Sequence, residues 1–175
     1  MLAPAILYAD ELTRLLNSTW FQDKYKWWNN DTYYDSVKVA DSSWADHQFV
    51  SVRDGKVIGY IGYQIYRCGP TAHNLSIINF TDDKMTFGMD VGQALRDIFE
   101  KYHFHKLNFC VVVGNPIEKS YDKMISRFGG RIVGTYRDDT RLIDGRYYDR
   151  KAYEVLEWDY FASSGYKALR RHSNE

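Results

Sequence analysis

The chain is short of several things at once. It has two cysteines, Cys68 beside a Gly-Pro turn and Cys110 inside an apolar run. Two thiols in such unlike settings make no disulfide framework, so a reducing cytoplasm is the expected compartment. Charge of one sign is missing as well: 23 basic side chains meet 23 acidic ones. The balance gives no footprint for nucleic acid and none for an anionic membrane surface. No apolar run approaches the roughly 18 residues of a membrane span. The opening M-L-A-P-A-I-L-Y-A-D has no basic segment and meets acidic residues too soon for a signal peptide. Internal repeats and low-complexity segments are lacking too.

What is abundant is aromatic surface. Fifteen tyrosines and five tryptophans lift the aromatic share to 17%, which implies wide half-buried surfaces. A length of 175 residues is that of one domain with a substantial core.

Along the chain, Leu12, Leu15, Leu16, Thr19 and Trp20 recur at three and four residues, which predicts an amphipathic helix from Asp10 to about Trp28. Asn29 to Asp46 is punctuated like a loop and carries Tyr33, Tyr34, Val37, Val39 and Trp44, with room for a short helical piece. Asp54-Gly55 supplies the positive φ angles of a tight turn between strands His47 to Arg53 and Lys56 to Arg67. His73 to Phe80 is a third strand. The glycines of F-G-M-D-V-G-Q-A-L then read as a turn opening a helix that runs to about Tyr102. A strand that feeds a helix N-terminus through glycines offers backbone N–H groups to phosphates. Lys106 to Val113 is an apolar run expected to be buried on both faces, in parallel with the strand before the helix. Pro116 suits the start of a helix bearing Ile117, Tyr121, Met124, Ile125 and Phe128, stopped by Gly129-Gly130. Asp144-Gly145 joins two last strands, Arg131 to Ile143 and Arg146 to Trp158. The basic tail with Lys167, Arg170 and Arg171 is expected to fray. The sum is an α/β chain: a mixed, mostly antiparallel sheet with helices on both faces.

That order, with Gly88 and Gly92 at the helix start and G-N-P-I-E-K-S-Y after the apolar strand, resembles the GCN5-related N-acetyltransferase superfamily over His47 to Trp158, and within it a divergent, partly phage-associated branch. The resemblance implies a fold with a splayed parallel strand pair. It divides the chain into an N-terminal helix and acceptor-side lid (1–46), a core sheet with the cofactor site (47–160) and a tail (161–175). It also implies acetyl-coenzyme A as cosubstrate and direct transfer to a primary amine, on a small molecule or a protein, by a monomer or homodimer. Phe87, Gly88, Met89, Asp90, Val91, Gly92 and Gln93 fall on the superfamily's pyrophosphate loop. Phe87 stands at the Arg/Gln position of that signature and Asp90 at its first glycine. An aspartate is unfavourable beside a pyrophosphate unless its carboxylate points outward or caps the helix dipole. Ile78, Asn79 and Phe80 end the strand that holds the thioester, and Asn115 matches an asparagine that touches the pantetheine arm. The same fold without catalysis, as an acyl-coenzyme A-binding or protein-interaction module, is the alternative that Phe87 and Asp90 favour.

Acetyl transfer to an amine requires a base for the ammonium and a donor for the departing thiolate. Tyr121 is the candidate donor, or else it packs with Ile117, Met124 and Ile125. Asn115 either meets the arm or caps the next helix. The base candidates are Asp82, Asp83 and Glu118, with His73 or Asn79 acting through water; Asp82 and Asp83 also read as solvated loop carboxylates. His103 and His105 lack a third ligand, so no metal is expected. Trp20, Phe21, Trp27, Trp28, Tyr33, Tyr34 and Trp44 read either as an aromatic wall for an amine or as a lid packed on the sheet.

Overall fold

The computed structural model describes residues 1–28 and 38–172. Seven strands form one sheet in the order β1-β2-β3-β4-β5-β7-β6. They are β1 (Leu2–Pro4), β2 (Asp46–Arg53), β3 (Lys56–Tyr66), β4 (Thr71–Asn79), β5 (Lys106–Val112), β6 (Arg131–Arg141) and β7 (Tyr147–Leu156). The helices are α1 (Ala9–Ser18), α2 (Lys84–Glu100), α3 (Glu118–Arg127), α4 (Glu157–Ala162) and α5 (Ser164–His172). All neighbouring strands run antiparallel except β4 and β5. No helix among the described residues is long and apolar enough to cross a membrane.

Strand alternation sends side chains to two different cores. Tyr60 and Ile78, paired across β3 and β4, join Leu12 and Leu16 of α1 on one face. The next pair, Ile61 and Ile77, meets Phe87 and Ala94 of α2 on the other. On that second face Ile98 and Phe99 of α2 and Ile125 of α3 continue over Leu107, Phe109 and Val111 of β5. Helices therefore cover both faces.

Several local readings hold. Asp54 and Gly55 adopt φ of 51° and 75° in the β2–β3 turn. Gly129 has φ of 79° and lies so close to the Asp159 carbonyl that no Cβ fits, which ends α3 as expected.

Other readings are corrected. The first helix stops at Ser18 instead of Trp28, because the Ser18 and Thr19 hydroxyls donate to the Leu15 and Leu16 carbonyls and Phe21 takes φ of 62°. β1, unread in the sequence, pairs with β2. β5 is not buried on both faces: Leu107, Phe109 and Val111 are buried, whereas Lys106, Asn108, Cys110 and Val112 are only half-buried. The tail does not fray at Ser164 but forms α5. Ser163 Oγ accepts from the Tyr166 N–H, and Tyr166 packs on Tyr160 and Phe161. Of the segment from Asn29 to Asp46, residues 29–37, including Tyr33, Tyr34 and Val37, lie outside the described residues.

The largest correction concerns the helix after β4. It opens at Lys84, well before the glycines, because Asp83 caps it: its carboxylate accepts from the Thr86 N–H at 3.0 Å.

Candidate active site

β4 and β5 are joined at two positions, Thr71 with Lys106 and Ala72 with Leu107, and then part. Asn74, two residues beyond the last paired residue of β4, takes a left-handed φ of 52°, and the β3–β4 register shifts opposite it. Asparagine tolerates that conformation, and a bulge there bends the strand away from its neighbour. Main-chain groups alternate in direction along a strand. Phe80 N–H donates to the Ile58 carbonyl of β3, so Ile78 shares that direction, and Ile77 and Asn79 face the gap. Val113 N–H donates to Asp149 in the same way, which leaves Cys110 and Val112 facing the gap from β5. The result is a slot lined on both sides by strand edges that no ladder satisfies.

The sequence-derived site residues divide around this slot. Asn79 is at its edge, but its side chain is committed to the turn: Oδ1 accepts from the Thr81 N–H at 2.8 Å and Nδ2 donates to the Asp83 carbonyl. Ile78 is buried under α1, and the Phe80 N–H is spent on β3, so neither offers a donor to the slot. Asn115 caps the turn into α3, its Oδ1 accepting from the Ile117 N–H at 3.1 Å. Tyr121 lies edge-on to Phe109 (5.2 Å) and Tyr153 (6.3 Å), which stack on each other at 5.0 Å. Burial pushes its phenol up to about 12, so it stays protonated at neutral pH.

Gly88 to Gly92 do not form a turn. They lie in the second and third turns of α2, where their N–H groups belong to the helix ladder. No heavy atom lies within 4 Å of where a Cβ on Gly88 would be. Phe87 is buried against Gly59, and Val91 packs beside it. The Asp90 carboxylate points to the sheet, where Ser51 Oγ donates to it at 2.5 Å and the Met1 amine lies 3.0 Å away. Met89 is exposed, and Gln93 donates to Asp97 one turn on. The free donors of α2 are instead those at Asp83 to Thr86, and they are largely taken. Thr81 Oγ1 accepts from the Asp83 N–H, the Asp82 carbonyl from Lys84, and Asp83 Oδ1 from Thr86. The Thr86 hydrogen bonds, with Arg53 behind them, hold the Asp83 carboxyl down at about 2. The slot offers unpaired main-chain groups of two strand edges, whereas the N–H groups of Gly88 to Gly92 are spent within the helix.

Of the base candidates, Asp82 is 99% exposed and loosely paired with Lys24 at 3.7 Å. Glu118 accepts from Lys151 at 2.6 Å and from the Gly114 N–H at 3.0 Å, and these bonds lower its pKa. Both features weaken it as a base. Lys151 also donates to Asp122, to which the Tyr153 hydroxyl donates at 2.8 Å. This cluster ties α3 to β7 beside the open end of the slot and carried no signal in the sequence. His73 lies in a groove of about 810 Å³ where β4 and β5 part, on a stretch of sheet that α1 leaves open, with Asn108, Cys110 and Arg150. Among the described aromatics, Trp28 packs on Tyr60 and Trp27 on Tyr148, while Phe21 and Trp44 are exposed.

No protein-family model matches the chain, and neither does any curated protein. Solved structures do match. A probable acetyltransferase is similar at 17% identity, over 86% of this chain and 88% of its own, with a TM-score of 0.64. A chimera of the spermidine N-acetyltransferase SpeG from Vibrio cholerae and hSSAT is 19% identical over 93% of this chain and 99% of its own, with a TM-score of 0.64. The spermidine/spermine N-acetyltransferase SpeG from Vibrio cholerae is 23% identical over 69% and 70%, with a TM-score of 0.58. The chain thus has the fold of the GCN5-related N-acetyltransferases, and its β4–β5 pair parts as the resemblance implies.

Proposed function

We propose that the chain is an N-acyltransferase that takes acetyl-coenzyme A as donor and moves the acetyl group to a primary amine by direct transfer in a ternary complex. The observation that carries this reading is the slot: β4 and β5 pair at only two positions and then expose main-chain donors and acceptors to each other across a gap. An extended pantetheine arm, with its amides and thioester, has the shape and hydrogen-bonding groups of a strand and would satisfy both edges. The structural neighbours that act on spermidine support an alkyl amine as acceptor.

In this reading the amine nitrogen attacks the thioester carbon, the C–N bond forms and the C–S bond breaks. The ammonium proton leaves through water, since Glu118 is held by Lys151. Tyr121, kept protonated by burial, gives its proton to the leaving thiolate and regains one, through water, from the nitrogen as the amide forms.

The second reading, a catalytically silent module on the same fold, is favoured by one observation. The α2 N-terminus is capped by Asp83, which is itself paired with Arg53. Thermal shift with acetyl-coenzyme A and with coenzyme A separates the readings from a chain that binds neither. An acyltransferase shows a rise in melting temperature and thiol release in the presence of a polyamine, amino acid or peptide. A rise without thiol release supports the silent module. No rise at millimolar ligand overturns both cofactor-binding readings and leaves the protein-interaction module.

A further inference from the structure

Just past the open end of β5, the chain's own lysine sits in a small aromatic and acidic enclosure. Lys26 Nζ lies 4.5 Å from the Trp27 ring centroid, 5.8 Å from that of Tyr148 and 3.9 Å from Asp144 Oδ2. The two rings meet edge to face at 5.5 Å. Asp144 is kept ionised first by the Tyr148 hydroxyl, donating at 2.6 Å, and then by the Arg146 N–H at 3.1 Å. Trp27 is the side chain nearest Gly114, within van der Waals reach of where its Cβ would stand. On the α3 side, the Gly114 N–H donates to Glu118. One residue therefore separates this enclosure from the cluster beside Tyr121.

We propose that Trp27, Tyr148 and Asp144 form a binding site for a primary alkylammonium, and that Lys26 occupies it as an internal competitor. Two electron-rich faces and one carboxylate, already accepting two hydrogen bonds, suit a compact point charge on an alkyl stem. The contrast with Lys151 argues that the occupant is displaceable. Among the described residues, Lys151 makes ion pairs of 2.6 and 3.1 Å, whereas Lys26 makes one of 3.9 Å with a third of its side chain exposed. A pair that long and that wet adds little, so an incoming ammonium has little to displace. That the displacing amine would be the acyl acceptor rests on the acyltransferase reading; the binding itself does not.

The test is calorimetric titration with n-butylamine, without cofactor, of the wild-type chain, Lys26→Met and Lys26→Met/Asp144→Asn. Methionine keeps the alkyl packing, and asparagine keeps a side-chain oxygen for the Arg146 N–H, the bond that Asp144 makes in the turn. Lys26→Met is expected to bind butylamine about threefold more tightly, as a weakly held competitor is removed. The added Asp144→Asn is expected to abolish that gain. An unchanged affinity in Lys26→Met overturns the proposal, including where its melting temperature falls, which would make Lys26 a latch holding the N-terminal segment to the β6–β7 turn. A gain that survives Asp144→Asn overturns the assigned site. Failure of the acyltransferase reading shows separately, as absent thiol release with butylamine binding intact.

Discussion

Phe87 of α2 packs into the hollow that Gly59 leaves on β3, so closely that a Cβ at Gly59 would stand 2.2 Å from a ring carbon. This contact fixes where the first turns of α2 sit on the sheet. Gly59→Ala is expected to destabilise the chain by about 1–3 kcal/mol, since the obstacle is a buried ring and the Ile78 backbone. Chemical denaturation measures it, and an unchanged midpoint would mean that Phe87 packs elsewhere.

Gly88 gives the opposite expectation. It is helical and has open space at its Cβ, so Gly88→Ala should stabilise by about 0.5–1 kcal/mol. Acetyl-coenzyme A affinity should not move. A clear loss of affinity would return Gly88 to phosphate binding and contradict the helix start at Lys84.

Tyr121→Phe removes one hydroxyl from an aromatic cluster and leaves its ring contacts. If the phenol protonates the thiolate, kcat falls by about a hundredfold with little change in acetyl-coenzyme A affinity. Equal rates would leave Tyr121 as packing.

His47 makes stability depend on pH. It is buried among Tyr63, Tyr102 and Phe104 with Nδ1 2.9 Å from the Tyr63 hydroxyl. Burial first, then Arg67 and Lys101, lowers its pKa below 6.5. The unfolded chain therefore binds this proton more readily. The contribution is fully present above about 6.5 and is lost as pH falls from there to the folded value. His47→Phe should flatten that part of a stability-against-pH curve; an unaltered slope between pH 7 and 5 would exclude His47 as its source.

The turns were legible because their chemistry is local. Asp54-Gly55 takes positive φ at both residues and the β6–β7 turn at Gly145, as their local turn chemistry requires, and the Gly129 stop of α3 follows the same logic. The start of α2 was equally local, since Asp83 lies three residues before Thr86, as an N-cap does. Laying a glycine signature over Gly88 and Gly92 displaced it, and with it the phosphate cradle. β5 misled for another reason. An apolar run has no period, and the open face beyond Asn108 and Cys110 depends on which elements fail to cover it.

The sequence by itself determined the order of the elements from β2 to β7, the hairpins, the single crossover and, through them, the fold. These follow from hydrophobic period and turn residues a few positions apart. Only the tertiary structure decided the slot, the commitment of Glu118 to Lys151 and the lodging of Lys26 between Trp27, Tyr148 and Asp144. The last two are contacts between residues 33 and more than a hundred positions apart in the chain, and the slot is defined by ladder bonds that are not made. Neither kind of fact leaves a local trace.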